Sequence, residues 1–127
     1  MNDTHSPHKS KGGLGRLGGA VRYSLQGLGA AIRHEAAFRQ ELCVAVILTP
    51  VAFWLGNTLI ERILLVAAVF LVLIVELLNS GMEALADAIT LNEHPLIGRA
   101  KDLGSAAVML SIVLACIIWL AVIASHT

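Results

Sequence analysis

Apolar residues run through most of this chain in long blocks that formal charge interrupts at few places. No Asp, Glu, Lys or Arg lies between Glu41 and Glu61, and none follows Asp102. Between Arg62 and Glu83 the only charge is Glu76. A bilayer core takes about 20 predominantly apolar residues in a helix. The blocks therefore predict three transmembrane helices, near Gln40–Gly56, Leu59–Ala88 and Leu103–Ser125. Upstream the period changes. Leu14, Leu17, Val21, Leu25, Leu28 and Ile32 recur three and four apart, with Arg16, Arg22 and Arg33 mostly off the stripe. That is helical spacing, and it predicts a basic amphipathic helix over about 14–34 lying in the membrane interface. The plainer alternative is a fourth helix packed on the others. Met1–Gly13 is polar and predicts a disordered tail. Pro50 predicts a kink within the first span, Thr90–Ile97 a turn, and Gly98–Gly104 a lead into the third span.

The composition changes this picture little. The chain has 127 residues and is 57% apolar, above the about 45–50% of soluble domains. One domain over 14–127 follows, of all-α membrane class. Orientation comes from the basic residues. Lys9, Lys11, Arg16, Arg22, Arg33 and Arg39 precede the first span, Arg99 and Lys101 lie between the second and third, and only Arg62 falls in the first connection. The N-terminus and second loop are expected in the cytoplasm, the first loop and the C-terminus outside. No cleavable signal peptide is expected, because the first residues are polar. Cys43 and Cys116 read as packing residues within spans. GLGRLG (Gly13–Gly18) matches the dinucleotide fingerprint but follows a polar tail instead of a strand, so it carries no nucleotide assignment. Trp54 and Trp119, near the outer ends of their spans, suit an aromatic belt. His5, His8 and His126 read as solvated tail residues, and Arg39 as a partner of Glu35, Glu41 or lipid phosphate. No nucleic-acid partner is expected.

Charge inside the second span is the candidate chemistry. Glu76, Asn79, Glu83 and Asp87 are three, four and four positions apart, so a helix places them on one stripe, with Ser80 at its border. A charge at bilayer depth costs about 2.5–3.5 kcal/mol on insertion scales, and such groups mark functional paths. Polar glue between subunits is the competing explanation, and for Asp87 alone a simple interfacial position. Carboxylates with Asn and Ser oxygens suit a hard cation such as Mg²⁺, and no His or Cys shares the stripe to favour zinc. Arg16, Arg22, Arg99 and Lys101 supply cations nearby, as a polyphosphate needs. The pattern points to phosphoryl transfer at the cytoplasmic interface. A proton- or ion-conducting subunit is the competitor from another class. There is no P-loop signature, so a nucleotide site must be built on helix ends, with a homo-oligomer supplying the missing walls.

Three segments carry a resemblance: EAAFRQE (Glu35–Glu41), VELLNSGMEALAD (Val75–Asp87) and GRAKDLGSAAV (Gly98–Val108). In residues, order and separation they resemble the prokaryotic diacylglycerol kinase family, small lipid kinases of the bacterial inner membrane, over roughly Arg16 to the C-terminus. The resemblance implies a homotrimeric helical bundle of three-span subunits, each with a surface helix. It implies transfer of the γ-phosphate of ATP, with Mg²⁺, to diacylglycerol, giving phosphatidic acid. Glu76 matches the catalytic base, and Glu35 and Glu83 match the metal-binding glutamates, which also meet the nucleotide. Arg16, Tyr23, Asn92, Glu93, His94, Lys101 and Asp102 stand at nucleotide-binding positions. Arg16, Glu41, Glu76, Ser105 and Trp119 stand at lipid-substrate positions. Asn79 and Asp87 support the site. Proton removal from an alcohol by Glu76 would benefit from burial. The chain departs from the familiar pattern at Asn92, Glu93 and Pro95 around His94, at Gly81 and Ala88, and at Leu25 and Ile32, where tryptophans are familiar. The HPL sequence (His94–Leu96) leans towards an undecaprenol kinase, the alternative lipid substrate, while EAAFRQE leans towards diacylglycerol.

Overall fold

The computed structural model describes residues 12–127. The tail expected over 1–13, with His5 and His8, lies outside the described residues except for Gly12 and Gly13. Four helices follow in order: α1 (Gly13–His34), α2 (Ala36–Leu55), α3 (Leu59–Ile89) and α4 (Pro95–Ala124). No strand occurs among the described residues. The last three are long and apolar enough to cross a membrane, as the charge-free blocks predict.

Gly12 opens α1 at φ 101°, a left-handed conformation that side-chain-bearing residues avoid. The apolar stripe of α1 stays exposed from Leu14 to Ile32, and Ala31 is its single buried residue. This helix packs on α2 and leaves its apolar face open, as an interfacial helix would. Glu35 is the corner. Its extended backbone (φ −114°, ψ 103°) both ends α1 and caps α2. Arg39 secures the turn: its Nη1 donates to the carbonyls of Ile32 at 2.9 Å and Arg33 at 3.2 Å. Arg39 thereby caps carbonyls that α1 leaves open.

Helix α2 begins four residues before the expected Gln40 and runs on through Pro50 to Leu55. A short link leads to Thr58, whose hydroxyl accepts from the Glu61 N–H at 3.1 Å. Glu61 in turn accepts from the Asn57 N–H at 2.7 Å, a reciprocal arrangement close to a capping box. His126 is not a free tail residue, because its Nε2 meets Glu61 Oε2 at 3.1 Å. Helix α4 starts at Pro95, eight residues ahead of the expected span, so GRAKDLG is helical. The cause is local: proline suits the first helical position, and His94 Nδ1 accepts from the Leu96 N–H at 3.1 Å. The apolar core joins Ala52, Leu65 and Val122, with Leu55, Val66 and Trp119 against them. Trp119 donates its indole N–H to the Leu65 carbonyl at 3.1 Å, so it ties α4 to α3 instead of standing only in an aromatic belt. Trp54 is open to the surroundings.

Candidate active site

Length positions the charged stripe. Helix α3 has 31 residues. At 1.5 Å per residue it reaches about 46 Å, beyond a hydrocarbon core of about 30 Å. Its last turns, with Glu83 and Asp87, can therefore project towards water while Glu76 stays deeper. Burial follows that order: Glu76 is 5% exposed and Ser80 8%, Glu83 is half-buried and Asp87 exposed.

The structure brings together four of the sequence-selected carboxylates. Glu76 lies within electrostatic reach of Glu83 and Glu35, and Glu41 within reach of Glu76. They come from three places: the α1–α2 corner, the first turns of α2, and α3. Asn79 Nδ2 donates to Glu83 Oε1 at 3.3 Å and orients it. Asp87 does not join them. It pairs with Lys101 Nζ at 2.7 Å, fastening the end of α3 to the start of α4. Lys101, selected for a nucleotide phosphate, is thereby held beside the stripe by an exposed ion pair.

Other selected residues lie further out. Asn92, Glu93 and His94 line an open hollow of about 660 Å³ with Pro95, Gly98 and Lys101. The Nδ1 of His94 is occupied as the α4 cap. Asp102 and Ser105 are exposed along α4, and Arg16 is exposed on α1. Arg22 donates to the Tyr23 hydroxyl at 3.2 Å and stands 5.1 Å over its ring.

Three buried oxygens at the site have no hydrogen-bond partner: Glu41 Oε2, Asn79 Oδ1 and Ser80 Oγ. A buried orphan costs about 1–3 kcal/mol, and native chains keep few of them. Their grouping beside Glu76 fits a place where bound groups complete the shell. Among the described residues no three His, Cys, Asp or Glu side chains converge as a ready metal cage. The donor set still fits Mg²⁺, which commonly takes one or two carboxylates and draws its other ligands from water and phosphate. Glu35 and Glu83 both lie within electrostatic reach of Glu76.

Sequence reasoning missed Gly104. A Cβ there would collide with Asn79 Oδ1 and with Met82 Cε, so glycine is what lets α4 approach α3 at the stripe. A glycine inside a helix, seven residues before the buried Ser111, was the available signal. Below the carboxylates, α2, α3 and α4 enclose an open apolar groove of about 530 Å³. Gln40 and Glu41 stand at one end, and Leu48, Val69 and Trp119 at the other.

The family model described as prokaryotic diacylglycerol kinase matches residues 22–123. A diacylglycerol kinase of Haemophilus influenzae is 48% identical over 107 residues, covering 84% of this chain and 91% of its own. Those of Pseudomonas aeruginosa and Escherichia coli K12 are 48% and 47% identical over 114 residues, 90% of this chain and 93% of theirs.

Proposed function

This chain belongs to the prokaryotic diacylglycerol kinase family, and we propose that it transfers the γ-phosphate of ATP to diacylglycerol, giving phosphatidic acid, at the cytoplasmic face of a bacterial inner membrane. The observation that carries this reading is identity of 47–48% with diacylglycerol kinases along nearly the whole chain. The orphaned oxygens around a buried Glu76, above an apolar groove, support it.

In this reading the lipid keeps its acyl chains among the spans, and its primary hydroxyl reaches Glu76. The hydroxyl oxygen attacks the γ-phosphorus as the bond to the β,γ-bridging oxygen breaks. Glu76 accepts the hydroxyl proton, and ADP leaves. Glu41, with an unpartnered oxygen at the groove's polar end, can take a hydrogen bond from the glycerol. Glu35 and Glu83 would hold Mg²⁺, with Asn79 orienting Glu83. When bound, the ion neutralises phosphate charge and aligns the γ-phosphoryl group. Lys101, Asp102 and Arg16, with the loop Asn92–His94, form the nucleotide side, and Ser105 and Trp119 the lipid side. Asp87 sets the position of Lys101. The excess of Lys and Arg before the first span and between the second and third supports a cytoplasmic N-terminus and an outer C-terminus. A homotrimer would wall a site that one subunit leaves open.

The test is phosphate transfer from labelled ATP in mixed micelles with Mg²⁺, offering diacylglycerol and undecaprenol separately, with Glu76→Gln as control. Labelled phosphatidic acid that disappears in the control supports the reading. Preferential labelling of undecaprenol replaces the substrate and keeps the mechanism. A folded protein that labels neither lipid overturns the kinase reading, and ATP-independent ion flux in vesicles would then point to the conducting subunit.

A further inference from the structure

The apolar groove runs down from the carboxylates and stops. Along α2 it extends from Glu41 to Leu48, and along α4 from Ile112 to Trp119. Seven residues of helix span about 10 Å. A bilayer leaflet is about 15 Å of hydrocarbon, so the groove is shorter than the chains around it. Its end is not soft. The Trp119 side chain is the largest group at the far end, and its N–H is bonded to the Leu65 carbonyl. Leu65 itself is wholly buried in the core with Ala52 and Val122. A side chain so tied has little freedom to swing aside, because rotation would leave the indole donor unpaired among apolar groups.

We infer that Trp119, pinned to the Leu65 carbonyl, determines acyl-chain selectivity: it ends the groove and turns the chain out into the bilayer at that depth. This rests on the lipid-kinase reading and assigns a physical limit to its substrate. The occupant is the acyl chain of diacylglycerol. Its glycerol end meets Glu41, whose orphaned oxygen marks the polar mouth of the same groove. A short chain fits above the indole. A long straight chain must bend at the indole and gains less from the groove.

The test compares kcat/KM for dioctanoyl- and dipalmitoyl-glycerol in mixed micelles, using the full chain, Trp119→Ala and Trp119→Phe. Removing the indole should raise the long-to-short ratio about tenfold, the scale at which an apolar pocket discriminates chain length. Trp119→Phe keeps a ring, loses the anchoring bond, and should lie between; it also serves if the alanine variant does not fold. An unchanged ratio, with both rates falling together, overturns the inference and leaves the kinase reading standing. A changed oligomeric state with an unchanged ratio means that a second copy covers the groove, and overturns it equally. Wild-type protein that phosphorylates no diacylglycerol overturns both.

Discussion

Helix α3 packs on α4 along its whole length, but its two halves do so by opposite means. In the first half Leu65, Ala68 and Val69 are buried, the core is apolar, and its buried polar contact, Trp119 to the Leu65 carbonyl, is satisfied. In the second half Glu76 and Ser80 are buried as deeply, yet Asn79 Oδ1 and Ser80 Oγ lack partners. The first half is complete as it stands. The second leaves buried polar atoms unpaired. Packing without loose ends stabilises; buried polar groups held open are kept for chemistry, at a cost in stability.

The sharpest way to break this comparison is Glu76→Gln. If Glu76 is the base, phosphate transfer falls by about 10²–10⁴-fold while the melting temperature stays level or rises, because a buried charge is removed. A fall in both would place Glu76 with the structural half. Leu65→Ala tests the other side. It should lower stability by about 2–3 kcal/mol, the low end for a buried leucine, since lipid tails are as apolar as the core and only packing is lost. Denaturation in detergent reads this, and transfer at low temperature should persist. Gly104→Ala bears on both properties at once. Its methyl would push on Asn79 and Met82, costing about 1–2 kcal/mol by overpacking and lowering transfer as well. A stable variant with unchanged transfer would separate Asn79 from the site. Asp87→Asn should change stability least, by about 1 kcal/mol or less, because its bridge to Lys101 is exposed. Its informative readout is the KM for ATP, which should shift if the bridge aims Lys101 at the nucleotide.

Much of this was legible in the chain. Charge-free blocks give the spans because an ion inside a bilayer is costly, and three- and four-residue spacing gives the surface helix and the stripe. Helix ends were read less well. Pro95 and His94 start α4 early through local capping, which a hydropathy block does not register. The site was legible where it lies on one helix: Asn79 to Glu83 is a neighbour relation within a turn. It was not legible where it joins helices, as with Glu35 and Glu41 reaching Glu76, or Lys101 turning to Asp87.

Sequence alone therefore determined the all-helical, membrane-spanning class, the carboxylate stripe and the family. Each depends on local spacing, on hydropathy, or on residues read one after another. Only the tertiary structure decided that Arg39 caps α1, that His126 meets Glu61, that Gly104 admits Asn79, and that Trp119 bonds the Leu65 carbonyl. Those contacts cross up to 65 positions of chain. Helical periodicity says which face a residue shares, but the partner on the next helix depends on how closely and in what register the two backbones pack.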